Sequence, residues 1–141
     1  MCGAAHYRVS GEPITFYACH CTDCQRRTGS AFGLSMLVPK AAVELTQGET
    51  VPVEALVENG RVKRSVACAK CRTQLWGISG RNPEVLVIRP GTLDDKSGLE
   101  PVAHMWTRSK QPWVTLPQGV PMFETQPDPA ILAKLWKDRV A

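Results

Sequence analysis

Apolar and polar positions alternate along most of this chain, and turn residues cut the alternation into short lengths. Tyr7 and Val9 point one way and Arg8 and Ser10 the other, before Gly11-Glu12-Pro13 turns the chain into the run from Ile14 to Ala18. Phe32 to Val38, closed by Pro39, is a third strand-like run, and Ala42 to Leu45 is a fourth, ended by Thr46-Gln47-Gly48-Glu49. Val53 to Val57, Val62 to Ala67 and Thr73 to Ile78 follow. Asn59-Gly60, between the first two of these, is a hairpin signal because both residues tolerate positive φ. Glu84 to Arg89 is the most continuous apolar run and predicts a strand buried on both faces. A helix is predicted only at the end. Asp128 suits an N-cap, Pro129 suits the first helical residue, and Ile131, Leu132, Leu135 and Trp136 recur at helical spacing on one face. The pattern predicts an all-β fold of short strands with a short C-terminal helix.

Composition narrows this picture. At 141 residues the chain suits a single domain over 1–141, with a terminal extension carrying the helix at about 117–141. Eleven Gly and 11 Pro break any long helical period, which excludes a helix bundle. The formal charge of +4 is spread along the chain. Arg61, Lys63 and Arg64 form only a short basic patch, diluted by Glu54 and Glu58, so nucleic acid is not an expected partner. No apolar stretch approaches the roughly 20 residues of a membrane helix, and Met1 to His6 lacks the features of an export signal. A soluble, cytoplasmic protein is expected, in which six cysteines stay reduced and serve metal binding instead of disulfides.

Those cysteines are patterned. In Cys19-His20-Cys21-Thr22-Asp23-Cys24, a C-x-C leaving a strand puts two sulfurs on one side, and C-x2-C closes a turn that brings in the third. Four protein ligands saturate a structural zinc, whereas three leave one position for water or a substrate atom, the arrangement of a catalytic site. Cys68-Ala69-Lys70-Cys71 is a second C-x2-C, after a strand, and Cys2 is the cysteine left over. The plainer alternative is one structural zinc that takes four of the six sulfurs, with two buried spare thiols. A redox role for Cys68 and Cys71 would need the motif at the start of a helix, and Arg72 to Trp76 reads as a strand.

These motifs together resemble the glutathione-dependent formaldehyde-activating enzyme (GFA-like) family, which includes the centromere protein V branch. The matching residues are Cys2-Gly3, Ser10 to Pro13, the run from Cys19 to Gly29, Phe32, Cys68 and Cys71, Gly91 to Asp95, Pro101, His104 and Trp113. The resemblance implies a small zinc-stapled β-tent of antiparallel strands and two zinc ions. It implies a catalytic zinc on Cys19, Cys21 and Cys24, and a structural zinc whose ligands match Cys2, Cys68 and Cys71. The fourth structural ligand of the family would precede Met1, so that site is expected to be incomplete. The family also has a glycine after the second knuckle cysteine and an aromatic before the first, where this sequence has Arg72 and Ala67.

The activity implied is that of a carbon–sulfur lyase resembling S-(hydroxymethyl)glutathione synthase. It would join glutathione or another small thiol to formaldehyde or another small aldehyde. The alternative, suggested by the centromere protein V branch, is a non-catalytic zinc-dependent binding module. Around the cysteines, His20 reads as a proton shuttle, an alternative zinc ligand or a plain exposed histidine, and His104 as a site neighbour or a loop cap. Arg26 and Arg27 read as partners for a substrate carboxylate or as a solvated face, and Arg108 and Lys110 likewise. Trp76, Trp106 and Trp113 read as pocket walls or as core.

Overall fold

The computed structural model describes residues 1–139, so the last two positions of the expected domain and of its terminal extension lie outside the described residues. In chain order the strands are β1 (His6–Val9), β2 (Thr15–Cys19), β3 (Gly33–Pro39), β4 (Val43–Gln47), β5 (Thr50–Leu56), β6 (Val62–Cys68), β7 (Gln74–Ile78), β8 (Val85–Ile88), β9 (His104–Met105) and β10 (Met122–Phe123). The helices are α1 (Thr22–Thr28) and α2 (Pro129–Asp138), with three single 3-10 turns between strands. The fold is mostly β, as the alternation predicts. The chain forms two compact units, one from residues 1–13 and 37–95, the other from 14–36 and from 96 onward. Each takes separated stretches of sequence, so no single cut of the chain divides them.

In the first unit β5, β6, β7 and β8 form an antiparallel meander, and β1 pairs with β4. The Asn59-Gly60 signal is realised. Gly60 takes φ 79°, its amide donates to the Val57 carbonyl at 2.9 Å, and the register sets Leu56 opposite Val62. The β8 segment differs from its expectation of burial on both faces. Leu86 and Ile88 are buried, whereas Val85 and Val87 are half-exposed, so an apolar run here marks a one-sided strand. Tyr7 sets its ring edge-on against Trp76 at 5.4 Å and bonds the Thr92 hydroxyl, which places Trp76 among packed side chains.

The turn between β4 and β5 holds two other segments. Gly48 has φ 81°, and a Cβ there would lie 2.0 Å from the Ala4 carbonyl oxygen. Only glycine fits, on both conformational and steric grounds. Next to it, the Glu49 carbonyl accepts from the Ala69 amide at 3.0 Å. This turn therefore touches the segment that follows Cys2 and the loop that contains Cys68 and Cys71.

The second unit holds strands in the order β10, β9, β2 and the first four residues of β3, up to Met36, and β9 runs parallel to both β2 and β10. These two-residue strands carry no alternation of their own and exist because β2 supplies partners. Ala18 donates to Ala103 at 3.0 Å and His20 to Met105 at 2.9 Å. Helix α2 starts as predicted, with Asp128 Oδ1 accepting from the Ala130 amide at 2.8 Å and Pro129 in the first turn. Leu132 and Trp136 are buried, and the Leu132 carbonyl accepts from Thr15 Oγ1 of β2 at 2.9 Å. Ile131, predicted on the same face, is 45% exposed instead.

Substituting Gly48→Ala tests the turn. The clash with Ala4 and the left-handed φ together should destabilise the protein by about 2 kcal/mol or more, read as a lower urea midpoint at unchanged m-value. An unchanged midpoint would mean that the segment bearing Cys2 is not pinned there.

Candidate metal centres

Strand β2 ends at Cys19, and extended backbone continues through Cys21, where φ is −65° and ψ is 154°. Alternation along that extension sends Cys19 and Cys21 to one side and His20 to the other. Cys21 is then the N-cap of α1, its sulfur accepting from the Cys24 amide at 3.3 Å. Sequence spacing anticipates a turn here, and the structure makes it a helix. Seven residues suffice because both ends are capped, the far end by Gly29, whose amide donates to the Gln25 carbonyl at 2.9 Å.

The sulfurs of Cys19, Cys21 and Cys24 all lie within 4.8 Å of one another. Cys19 and Cys24 are buried and Cys21 is half-buried, against Ala103, Met105 and Leu132, with Tyr17, Trp106, Phe123 and Leu135 packed around them. Gly33 presses close: a Cβ there would meet Cys24 Cβ at 3.3 Å and its Sγ at 3.5 Å. Contacts with Cys21 and Cys24, reinforced by burial, push the Cys19 thiol far up. Three largely buried sulfurs this close resist ionising together unless a cation joins them. Sulfur donors without carboxylates suit a soft divalent ion, so the residues fit the metal that the sequence leads one to expect.

His20 is in neither sulfur group. It is fully buried, its Nε2 lies 2.9 Å from His104 Nδ1, and its ring lies 5.0 Å from that of Phe32. It therefore stands outside both sulfur groups and is not an exposed histidine. Its carbonyl accepts from Gln25 Nε2 at 2.8 Å and from Ser109 Oγ at 2.9 Å, and Gln111 Nε2 donates to Gln25 Oε1 at 2.7 Å. This polar brace holds the main chain between Cys19 and Cys21; Gln25 lies in the run from Cys19 to Gly29 but had no role read for it, and no motif pointed to Ser109 or Gln111. Burial, followed by the nearby His104 and Lys110, lowers the His20 pKa to about 4, and burial lowers His104 too.

Of the flanking residues, Arg27 Nη2 donates to Cys24 Sγ at 3.9 Å, and Arg26 is exposed. Trp106 takes a left-handed φ of 58°, with the Arg108 guanidinium 4.9 Å from its ring centroid. Trp113 is 75% exposed and lines, with Gly29, Ser30, Ala31 and Gln111, an open groove of about 370 Å³.

In the other unit the sulfurs of Cys2, Cys68 and Cys71 also lie within 4.8 Å of one another. Cys2 is exposed, Cys68 is buried at the end of β6, and their sulfurs are 3.8 Å apart. The knuckle turn closes through Arg72 N to Cys68 O and Cys68 N to Thr73 O, both 3.0 Å. The Thr73 hydroxyl and amide, helped by Cys2, lower the Cys71 pKa to about 6. Arg72 occupies φ 62°, the conformation that a glycine would adopt without strain.

Two measurements follow from this geometry. Arg72→Gly should raise stability by about 0.5–1 kcal/mol, because relief of the left-handed strain outweighs the added freedom of the unfolded chain. A lower denaturant midpoint would contradict this. His20 stays neutral in the fold down to about pH 4, whereas the unfolded chain takes up its proton near 6.5. Stability should therefore be intact above pH 6.5 and fall as pH drops towards 4, by about 3 kcal/mol from this group. Imidazole NMR should show no His20 titration at pH 5.5 to 6.5.

A sequence profile for the family described as glutathione-dependent formaldehyde-activating enzyme matches residues 1–109, a span that contains all six cysteines. Among solved structures, the chain is similar to a crystal structure of a Rhodobacter sphaeroides protein, a structural genomics target. The TM-score is 0.51 and the identity 18%, over 71% of this chain and 86% of that one, a likeness of fold. No curated protein matches the chain.

Proposed function

The chain belongs to the glutathione-dependent formaldehyde-activating enzyme family, and from that footing we propose that it is a zinc-dependent carbon–sulfur lyase. It joins glutathione or a similar thiol to formaldehyde or another small aldehyde at Cys19, Cys21 and Cys24. The observation that carries this reading is the convergence of exactly those three sulfurs in a half-buried cluster. Three ligands are one fewer than tetrahedral zinc takes, so an outside ligand has a place. Zinc bound there would supply a thiol held as its thiolate at neutral pH, where a free thiol with pKa of about 8.5 is mostly protonated.

The reaction adds the thiol across the aldehyde carbonyl. A sulfur–carbon bond forms, the carbon–oxygen π bond opens, and the proton lost from sulfur ends on the new hydroxyl oxygen. The reverse breaks the carbon–sulfur bond, which makes the enzyme a lyase. Tyr17, Trp106 and Phe123 pack against the buried cluster that contains Cys19 and Cys24 and keep water from its inner side. His20, neutral and buried, holds its segment of main chain in place together with Gln25 and Ser109. Its side chain leaves the extended segment on the face opposite the sulfurs, so we give it no part in proton transfer.

In the same reading Cys2, Cys68 and Cys71 hold a second zinc that staples the fold, and the chain acts as one domain. Among the described residues no helix is long and apolar enough to cross a membrane, and a cytoplasmic location suits the reducing conditions that free thiols need. The second reading, a non-catalytic zinc-dependent module, finds less support because the basic residues form no stripe.

The test is exchange NMR of carbon-labelled formaldehyde with glutathione and catalytic amounts of the zinc-loaded protein. Adduct exchange should accelerate, and Cys24→Ser should return it to the uncatalysed rate while leaving the protein folded. Cys71→Ser should instead lower Tm by about 5 °C or more, because a structural zinc contributes directly to folding. Exchange at the background rate with both metals bound would turn the reading to another thiol or aldehyde, or to the binding module.

A further inference from the structure

Arg27 stands three positions after Cys24 on α1, which places both on one face of the helix. Its Nη2 donates to Cys24 Sγ at 3.9 Å, and its Nε is buried without a hydrogen-bond partner. The cation is thus in contact with the Cys24 sulfur and holds a donor that nothing among the described residues satisfies. A guanidinium stays charged at every relevant pH, and a buried unpaired N–H is unfavourable until an acceptor reaches it.

Three thiolates around a divalent ion leave one excess negative charge, and an anionic fourth ligand would double it. In a half-buried, apolar setting such repulsion is poorly screened. A neutral fourth ligand would meet no such penalty. The cluster's own surroundings therefore favour a neutral ligand unless a positive charge is fixed beside the sulfurs. Asp23 and Arg26 share the helix with opposite charges and make contacts of their own. Arg27 is placed to shift the balance.

We propose that Arg27 makes the Cys19, Cys21, Cys24 centre selective for an anionic fourth ligand, a thiolate or another soft anion. It does so by setting its charge against Cys24 Sγ and keeping Nε–H available to an acceptor. Arg27 is in this sense a positioning residue, acting through the sulfur it touches. The proposal rests on the reading that this centre takes an outside ligand, and it deepens that reading by naming the ligand's charge.

The experiment loads the protein with cobalt(II) and titrates three probes, 2-mercaptoethanol, thiocyanate and neutral imidazole, following the visible absorption of the metal. The response absent from Cys24→Ser reports this centre. Arg27→Gln should take up cobalt normally, bind mercaptoethanol and thiocyanate about tenfold or more weakly, and bind imidazole as wild type does. Arg27→Lys keeps the charge but loses the fork and Nε, so anion binding should weaken by about threefold with imidazole unchanged. That variant decides the matter should Arg27→Gln fail to fold. Equal weakening of all three probes, no change in any, or no anion binding by wild type overturns the proposal. Arg27-dependent thiocyanate binding without uptake of mercaptoethanol would retain the anion selectivity and remove the thiol-adding function.

Discussion

Three largely buried thiols as close as those of Cys19, Cys21 and Cys24 resist losing all their protons unless a cation sits among them, and this chain brings three sulfurs within 4.8 Å of one another once in each of its two units. Much of the remaining structure serves to hold those sulfurs. In one unit the thiols are largely buried among apolar side chains, and crowding drives the Cys19 thiol strongly up. In the other, Cys2 is exposed and Thr73 draws the Cys71 thiol down to about 6. The same donor set thus meets different surroundings: one group is largely buried among apolar side chains, and the other is set in an exposed turn.

Backbone geometry, more than side-chain packing, brings each set of sulfurs together. Cys19 and Cys21 converge because extended chain alternates, and Cys24 joins them because Cys21 caps a short helix whose first turn returns the chain. Cys68 and Cys71 converge through a knuckle that forces Arg72 into a left-handed conformation. Cys2 arrives through a segment packed on Gly48, where no other residue fits. Strain at Arg72 and intolerance at Gly48 are both consequences of placing a sulfur.

Around the enclosed centre, the polar residues divide into those that hold and those that tune. The buried pair His20 and His104 and the half-buried Gln25, Ser109 and Gln111 form a brace behind the Cys19-to-Cys21 segment, and the low pKa of His20 keeps it uncharged. Arg27 instead meets the Cys24 sulfur directly. Keeping the histidine pair neutral and the arginine charged sets a fixed positive charge on the sulfur side without adding one behind it.

The sequence by itself determined the strands with a clear two-residue period, the Asn59-Gly60 hairpin, the Asp128-Pro129 helix start, the convergence of Cys19, Cys21 and Cys24, and the Cys68-Cys71 knuckle, whereas Cys2, 66 positions from Cys68, joins its group only through the fold. Each feature so determined rests on local chemistry: alternation, a turn residue, a cap, or a spacing short enough for backbone geometry to fix. It overstated the burial of Val85 and Val87, and it placed Ile131 in a buried face, because apolarity alone does not say which side a neighbour covers. It gave no sign of β9, β10 or α1. Two-residue strands exist only through partners distant in sequence, and a seven-residue helix exists only through its caps. Tertiary structure alone turned His20 away from the sulfurs towards His104, 84 positions later, set Arg27 against Cys24, and left Trp113 exposed while Trp76 met Tyr7. Those outcomes depend on what distant segments bring alongside, which no local pattern encodes.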